Sequence, residues 1–263
     1  MRLLLGLLAV VAAITLAALP AAALKNVPYP EIKVKVSELY KPDAAFEKMR
    51  EALANAAARR DTAALFALIG PTFVWTSNAS LVDRFDLGRE ALHNFKVVFG
   101  FRAFGANEDG GVDGGPFWDS LATFAADGTY YKASDAGSLV CGPVSAELAD
   151  EQLFERARKR IEAGDEEADW YFTMRDVAVV KSPGDTGPPI AKLGTVAVPV
   201  LATHPPASAG QAAPPPTHLQ ILLPTGRTGW IPAAAARPLE SDRLCYAKTA
   251  DGVWKIAAFD QSE

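Results

Sequence analysis

Apolar residues in the first half of the chain recur at the spacing of amphipathic helices. Phe46, Met49 and Leu53 fall on one stripe of residues 42–69, as they would on a helix with one buried face. Asp61 is placed to cap a second, shorter helix, so an αα-hairpin is predicted there. Further helices are predicted at residues 88–99, 116–124 and 149–163. The first half is therefore expected to be dominated by helices.

After Gly164 the pattern becomes that of β-strands. Short runs rich in Val, Ile, Tyr and Trp alternate with Gly and Pro breaks, which is typical of an all-β region. Gly226 and Gly252 lie in predicted hairpin turns, where glycine permits positive φ. The Pro- and Ala-rich residues 205–216 predict an exposed, extended loop. Strands are predicted in this second half at residues 170–174, 177–181, 195–202, 218–223, 228–231, 243–248 and 254–259. In the first half, residues 72–76 are predicted to form a short strand or a buried extended segment.

The N-terminus is typical of a secretory signal peptide over residues 1–23. Arg2 precedes an uncharged apolar run at residues 3–19, and Pro20 is followed by three alanines, which suit signal-peptidase cleavage. The alternative is an uncleaved anchor, because the run is close to the shortest length that spans a bilayer. No second apolar stretch is long enough to cross a membrane. A periplasmic or secreted protein without a membrane span after cleavage is predicted.

The charge balance argues against a nucleic-acid partner. The chain has 26 Lys and Arg against 31 Asp and Glu. Loss of Arg2 with the leader leaves 25 against 31, a net charge of −6. Binding to phosphates requires a clustered basic surface instead.

Cys141 and Cys245 are the only cysteines, and in an oxidising compartment they are expected to pair. In the chain-entropy model a disulfide that closes a loop of this length stabilises the fold by about 4 to 5 kcal/mol. The alternatives are two buried free thiols or one reactive cysteine. A nucleophilic cysteine would need His93, His204 or His218 nearby, since no other histidine is present.

The second half resembles a bacterial SH3-like domain over residues 169–239. The matching segments are Val-Ala-Val-Val-Lys-Ser-Pro from Val177, Ile-Ala-Lys-Leu-Gly-Thr-Val-Ala-Val from Ile190, and Leu-Gln-Ile-Leu-Leu-Pro-Thr-Gly-Arg-Thr-Gly-Trp-Ile-Pro from Leu219. The resemblance implies a small β-barrel that binds peptidoglycan or peptides, or mediates contacts. His218 stands where the family often has an aromatic residue, and the preceding Pro-rich loop is longer than usual.

The whole chain also resembles exported alphaproteobacterial proteins without an assigned activity. The likeness lies in Leu-Val-Cys-Gly-Pro around Cys141 and Leu-Cys-Tyr-Ala-Lys around Cys245. It implies a periplasmic setting and supports pairing of the cysteines. A second likeness, to cone-shaped NTF2-like domains, lies in Phe-Val-Trp at residues 73–75 and Gly-Val-Trp-Lys-Ile at residues 252–256. It would require an inserted domain, because the closing strand follows the SH3-like segment.

The candidate ligand-binding residues are aromatic or amphipathic side chains of the second half. Such side chains offer a stacking face and one polar end, although core packing is the competing interpretation for a Trp that begins a strand. The candidates are Trp230, His218, Tyr246 and Trp254.

Motifs for catalysis or metal binding are missing from the sequence. The three histidines are dispersed, and no catalytic triad, His-Glu-x-x-His or phosphate-binding loop is present. The acidic, Gly-rich residues 108–115 could wrap Ca²⁺ but match no EF-hand spacing, so a solvated loop is the favoured interpretation. We therefore expect no cofactor, no metal and no enzymatic activity.

Together these observations predict an α+β protein. A helix-dominated N-terminal domain at residues 24–166 is followed by an SH3-like β-barrel with a C-terminal hairpin at residues 167–263. The predicted function is non-enzymatic binding or scaffolding in the cell envelope, with a cell-wall component or envelope protein as partner. The alternative is a small-ligand carrier or enzyme whose N-terminal pocket is lined by aromatic residues that could equally be core: Trp75, Phe95, Phe99, Phe117 and Trp118.

Overall fold

The computed structural model describes six stretches of the chain: residues 26–77, 90–99, 115–133, 139–162, 168–206 and 215–261. Three predicted features lie wholly or largely outside them. These are the signal peptide, the acidic Gly-rich segment and most of the Pro-rich loop.

Helices and strands are mixed in the N-terminal part of the described chain, whereas strands follow one another in the C-terminal part. The N-terminal part contains β1 (Ile32–Val36), β2 (Leu39–Tyr40), α1 (Ala44–Arg59), α2 (Thr62–Ala67), β3 (Ile69–Ser77), α3 (Ala91–Phe99), α4 (Gly115–Ala126), β4 (Tyr130–Lys132), β5 (Val140–Gly142), β6 (Ala146–Leu148) and α5 (Glu151–Ile161). The C-terminal part contains β7 (Asp169–Thr173), β8 (Val177–Val179), β9 (Ala191–Leu193), β10 (Val196–His204), β11 (His218–Leu222), β12 (Thr228–Pro232), a 3-10 turn (Ala233–Ala235), β13 (Ala236–Pro238), β14 (Arg243–Lys248) and β15 (Trp254–Gln261).

The helices and later strands confirm the predictions made from periodicity. Asp43 and Asp61 cap α1 and α2, accepting the N–H groups of Phe46 at 2.8 Å and Ala64 at 2.9 Å. These side chains satisfy donors that the first turn of a helix leaves without partners. Both predicted hairpin glycines have positive φ, 79° at Gly226 and 81° in the second turn.

The first sheet has the strand order β2-β4-β5-β14-β15-β3. Only the pairing of β15 with β3 is parallel; β14 pairs antiparallel with both β5 and β15. Helices α1, α3 and α4 contribute their apolar stripes to the same core as the sheet. Phe46 at the start of α1 is fully buried against Tyr130, Tyr246 and Trp254, with ring centroids 4.8 to 5.1 Å apart.

The second sheet runs β12-β11-β10-β1-β6, and β7 pairs with both β10 and β13. Helix α5 buries Phe154, Ala157 and Ile161 against it. Strands β8 and β9 form a separate hairpin, whose Val179 and Leu193 share a core with β10, β11 and β12.

The predicted fold class is wrong in two respects. Strand accounts for 38% and helix for 29% of the structure, and no sheet among the described residues closes into a barrel. The N-terminal part is therefore not helix-dominated. Strands β2, β4, β5 and β6 have only two or three residues each, which is too short to show the alternation that identifies a strand.

Each sheet contains strands from both sides of the boundary predicted near residue 166. Strands β1 and β6 lie in the second sheet, whereas the C-terminal hairpin of β14 and β15 lies in the first. The segment with β7 to β13 is thus inserted before strands that complete the first sheet.

The predicted disulfide between Cys141 and Cys245 is confirmed. The two residues lie directly opposite each other on β5 and β14, with Cα atoms 4.0 Å apart and a sequence separation of 104. Both are 2% exposed.

Within the described stretches, no helix is both long and apolar enough to cross a membrane.

Replacing both cysteines by Ala should lower the free energy of unfolding by about 2 to 5 kcal/mol, because the unfolded chain regains the entropy of a long open loop. Urea denaturation with and without reductant measures the effect. The wild-type protein in reductant should match the double variant, and an unchanged urea midpoint would contradict a stabilising role for the disulfide.

Replacing Gly229 in β12 by Ala should destabilise the protein by about 1 to 3 kcal/mol, the usual range for overpacking. A Cβ there would lie 2.4 Å from Val179 Cγ1 and 3.1 Å from Ile190 Cδ1. Gly128→Ala is the matched control, because nothing lies within 4 Å of its added Cβ. Equal denaturation midpoints for the two variants would show that β8 does not pack closely on β12.

Candidate functional site

A cleft of about 370 Å³ lies between helix α5, strand β7 and the end of β13. Its walls combine aromatic side chains with charged ones. The lining residues are Phe154, Glu155, Arg158, Glu162, Ala168, Asp169, Trp170, Tyr171, Pro238, Leu239 and Glu240.

The amphipathic pattern of α5 builds one wall of this cleft. Asp150 caps the helix by accepting the N–H of Leu153 at 2.8 Å. The apolar stripe faces the core, and Glu155, Arg158 and Glu162 follow at three- and four-residue spacing beside it. Residues with this spacing share one helix face, so all three charged side chains reach the cleft.

The aromatic surface of the cleft comes from Phe154 and Trp170. Their rings meet edge to face with centroids 4.9 Å apart, and Tyr29 holds Trp170 from another direction at 5.9 Å. The backbone of Trp170 is held as well, because the Leu239 N–H donates to the Trp170 carbonyl at 2.8 Å. Trp170 is 7% exposed, and its buried indole Nε1 has no hydrogen-bond acceptor among the described residues.

The cleft carries an excess of negative charge. Glu155, Glu162, Asp169 and Glu240 contribute four carboxylates against one guanidinium, a formal balance of −3. Arg158 is held by Glu155 at 3.1 Å and by Glu162 at 3.9 Å. Asp169 and Glu240 are exposed and form no ion pair with a described residue, so they remain available to a ligand cation.

Two of the predicted binding residues, His218 and Trp230, lie on one face of the second sheet. Trp230 is opposite Gln220 and His218 is opposite Pro232 in the β11–β12 ladder, and side chains two residues apart on a strand share a face. Both His218 and Trp230 are half-buried. His204 of β10 joins them, with its ring centroid 6.2 Å from that of Trp230.

The other two predicted binding residues lie in the core of the first sheet. Tyr246 is 1% and Trp254 6% exposed, and both pack on Phe46. Burial raises the pKa of the Tyr246 hydroxyl well above its ordinary value. The Trp254 indole N–H donates to Asp43 at 3.1 Å. The four predicted residues therefore do not form one groove.

The aromatics of the alternative N-terminal pocket pack against one another. Phe95 and Phe99 lie 4.9 Å apart, Phe99 and Phe117 6.0 Å, and Phe117 and Trp118 4.9 Å between centroids. These four side chains are at most 2% exposed, and Trp75 packs on the same core. Their observed role is core packing.

The charged residues that follow Glu155 are mixed in sign, which by itself is typical of a solvated helix face, so the cleft was not predicted from the sequence. The spacing of Glu155, Arg158 and Glu162 beside the apolar stripe was a usable signal. These three side chains line a cleft because β13 pairs with β7 and brings Glu240 to the same cleft.

No family model, curated protein or solved structure matches this chain.

Asp43→Asn should lower the stability of the fold near neutral pH. The stability of this variant should also change less than that of the wild type as the pH is lowered. Hydrogen bonds from Lys248, at 2.7 Å, and from the Phe46 N–H hold the pKa of Asp43 at about 2, against an ordinary 3.8. A carboxyl with a lowered folded-state pKa stabilises the fold above pH 3.8, and that contribution is lost as pH falls toward 2.

Thermal unfolding followed across this pH range measures the effect. The melting temperatures of wild type and variant should differ near neutral pH and converge in acid. Asp61→Asn is the control, since Asp61 caps α2 in the same way but has no lysine partner among the described residues. A gap between wild type and Asp43→Asn that persists in acid would contradict the assignment.

Proposed function

We propose that this protein is an exported, non-enzymatic binding protein of the cell envelope, and that the cleft between α5, β7 and β13 is its recognition site. The observation that carries the proposal is the cleft's combination of aromatic walls with uncompensated carboxylates. The buried disulfide supports an extracytoplasmic location, because disulfides persist in oxidising compartments.

The chemistry of the cleft favours a ligand with a cationic group on an apolar stem. Carboxylates bind ammonium or guanidinium groups through charge-assisted hydrogen bonds, and aromatic faces attract the same cations. A lysine- or arginine-bearing peptide segment, or an amine-bearing segment of the cell wall, meets both requirements. Such partners fit a scaffolding or tethering role.

Binding is better supported than the alternative of a carrier or enzyme with an N-terminal pocket. The aromatics suggested for that pocket fill the core of the first sheet. The cleft itself presents carboxylates, a paired arginine and aromatic rings, which suit recognition of charge and shape.

The double charge reversal Asp169→Lys with Glu240→Lys should weaken binding of a short fluorescent Lys- and Phe-containing peptide by about tenfold or more, because the two available anions become repulsive. Fluorescence anisotropy measures the affinity. Binding to the wild type should weaken as salt is raised, since exposed charges are screened.

Glu38→Lys provides the matched control, because Glu38 is also exposed but does not line the cleft. It should bind the peptide like the wild type. The proposal fails if the double variant binds the peptide equally well, or if the wild type prefers a Glu- and Phe-containing peptide of the same length.

A further inference from the structure

His204 and His218 form a cross-strand pair on the second sheet. His204 ends β10, His218 begins β11, and they are directly opposite each other in the antiparallel ladder. Side chains at such positions project from the same face with Cβ atoms about 4.5 to 5.5 Å apart. Two imidazoles at this spacing can converge on one atom between them.

The backbone around the pair is well held. Thr217 donates to the His204 carbonyl through its N–H at 2.8 Å and through its hydroxyl at 3.0 Å. Ala233 N–H in turn donates to the Thr217 carbonyl at 2.9 Å. The hydrogen bonds of the sheet therefore fix the relative position of the two histidine backbones.

The two rings are also accessible and partly oriented. His204 is exposed and His218 half-buried. The Nδ1 atom of His218 lies 3.1 Å from the Thr217 hydroxyl oxygen, and a hydrogen bond at one ring nitrogen leaves the other available as a ligand. The Trp230 ring meets the His204 ring edge to face, with centroids 6.2 Å apart.

We infer that His204 and His218 bind a divalent transition-metal ion that prefers imidazole, with Cu²⁺ bound most tightly. Imidazole suits copper, nickel and zinc, and divalent copper heads the usual affinity order. No group of three or more His, Cys, Asp or Glu residues that could hold a metal occurs in the described stretches. The ion would thus keep coordination positions for water or an outside ligand, as open sites do.

The site is independent of the proposed cleft. It involves neither the cleft carboxylates nor the aromatic rings of α5 and β7. Both cysteines are in the disulfide, so thiolates do not compete for the metal.

Calorimetric titration of the purified protein with Cu²⁺ alone tests the site. One equivalent should bind, and the affinity should follow the order Cu²⁺ over Ni²⁺ or Zn²⁺. His204→Ala and His218→Ala should each weaken Cu²⁺ binding by at least about tenfold. The reason is that losing even a residue that only hydrogen-bonds to a metal ligand typically weakens metal affinity by about tenfold or more. Electron paramagnetic resonance of the Cu²⁺ complex should show two coordinating nitrogens from imidazole.

His93→Ala is the matched control, because His93 is exposed on α3, outside the second sheet, and its loss should leave Cu²⁺ binding unchanged. Cu²⁺ bound at the pair should quench the fluorescence of Trp230, whose ring lies 6.2 Å from that of His204. Trp230→Phe should therefore retain the Cu²⁺ affinity but show less quenching of tryptophan fluorescence when Cu²⁺ is added. Unchanged affinity in both single histidine variants, or equal loss in His93→Ala, would overturn the inference. Circular dichroism of each variant confirms that folding is intact.

Discussion

Strand β14 enters the first sheet between β5 and β15, and Cys245 is bonded there to Cys141, 104 residues earlier. The strand is central, so the sheet cannot be completed until the chain has passed through β7 to β13. Tyr246 of β14 and Trp254 of β15 then close the aromatic cluster around Phe46. This one pairing makes the N-terminal helices and the C-terminal hairpin parts of the same core.

The second sheet is tied to the first by the same interleaving. Strand β1 precedes every helix of the first core, yet it pairs with β10 and β6. Arg237 of β13 also forms an ion pair with Asp127 after α4, at 2.9 Å with both side chains largely buried. This ion pair links the inserted segment to the turn between α4 and β4. Long-range pairings of this type carry a loop-closure cost that local helices avoid.

The two candidate sites use this scaffold in different ways. The cleft depends on α5 lying beside the β7–β13 pairing, so its charge arises from residues far apart in the chain. The histidine pair depends only on the register of β10 and β11. Hard carboxylates next to aromatic rings favour organic cations, whereas paired imidazoles favour borderline transition metals. The protein therefore presents two chemically distinct surfaces.

Local patterns in the sequence were enough to predict the helices, most of the longer strands, the cap at Asp61 and the two hairpin glycines. They also predicted the cysteine pair, because two cysteines in a chain with the pattern of a signal peptide are expected to pair with each other. These features depend on neighbouring residues or on compartment chemistry, which are readable from the sequence alone.

Only the tertiary structure decided which strands share a sheet. Strands of two or three residues carry no periodic signal, and nothing local in Trp254 or Tyr246 shows that they are buried against Phe46 rather than exposed on a barrel. The cleft and the histidine pair arise from strand register, which is set by burial of whole sheet faces. Because register is a property of the assembled sheets, the sequence contained the residues of both sites but not their proximity.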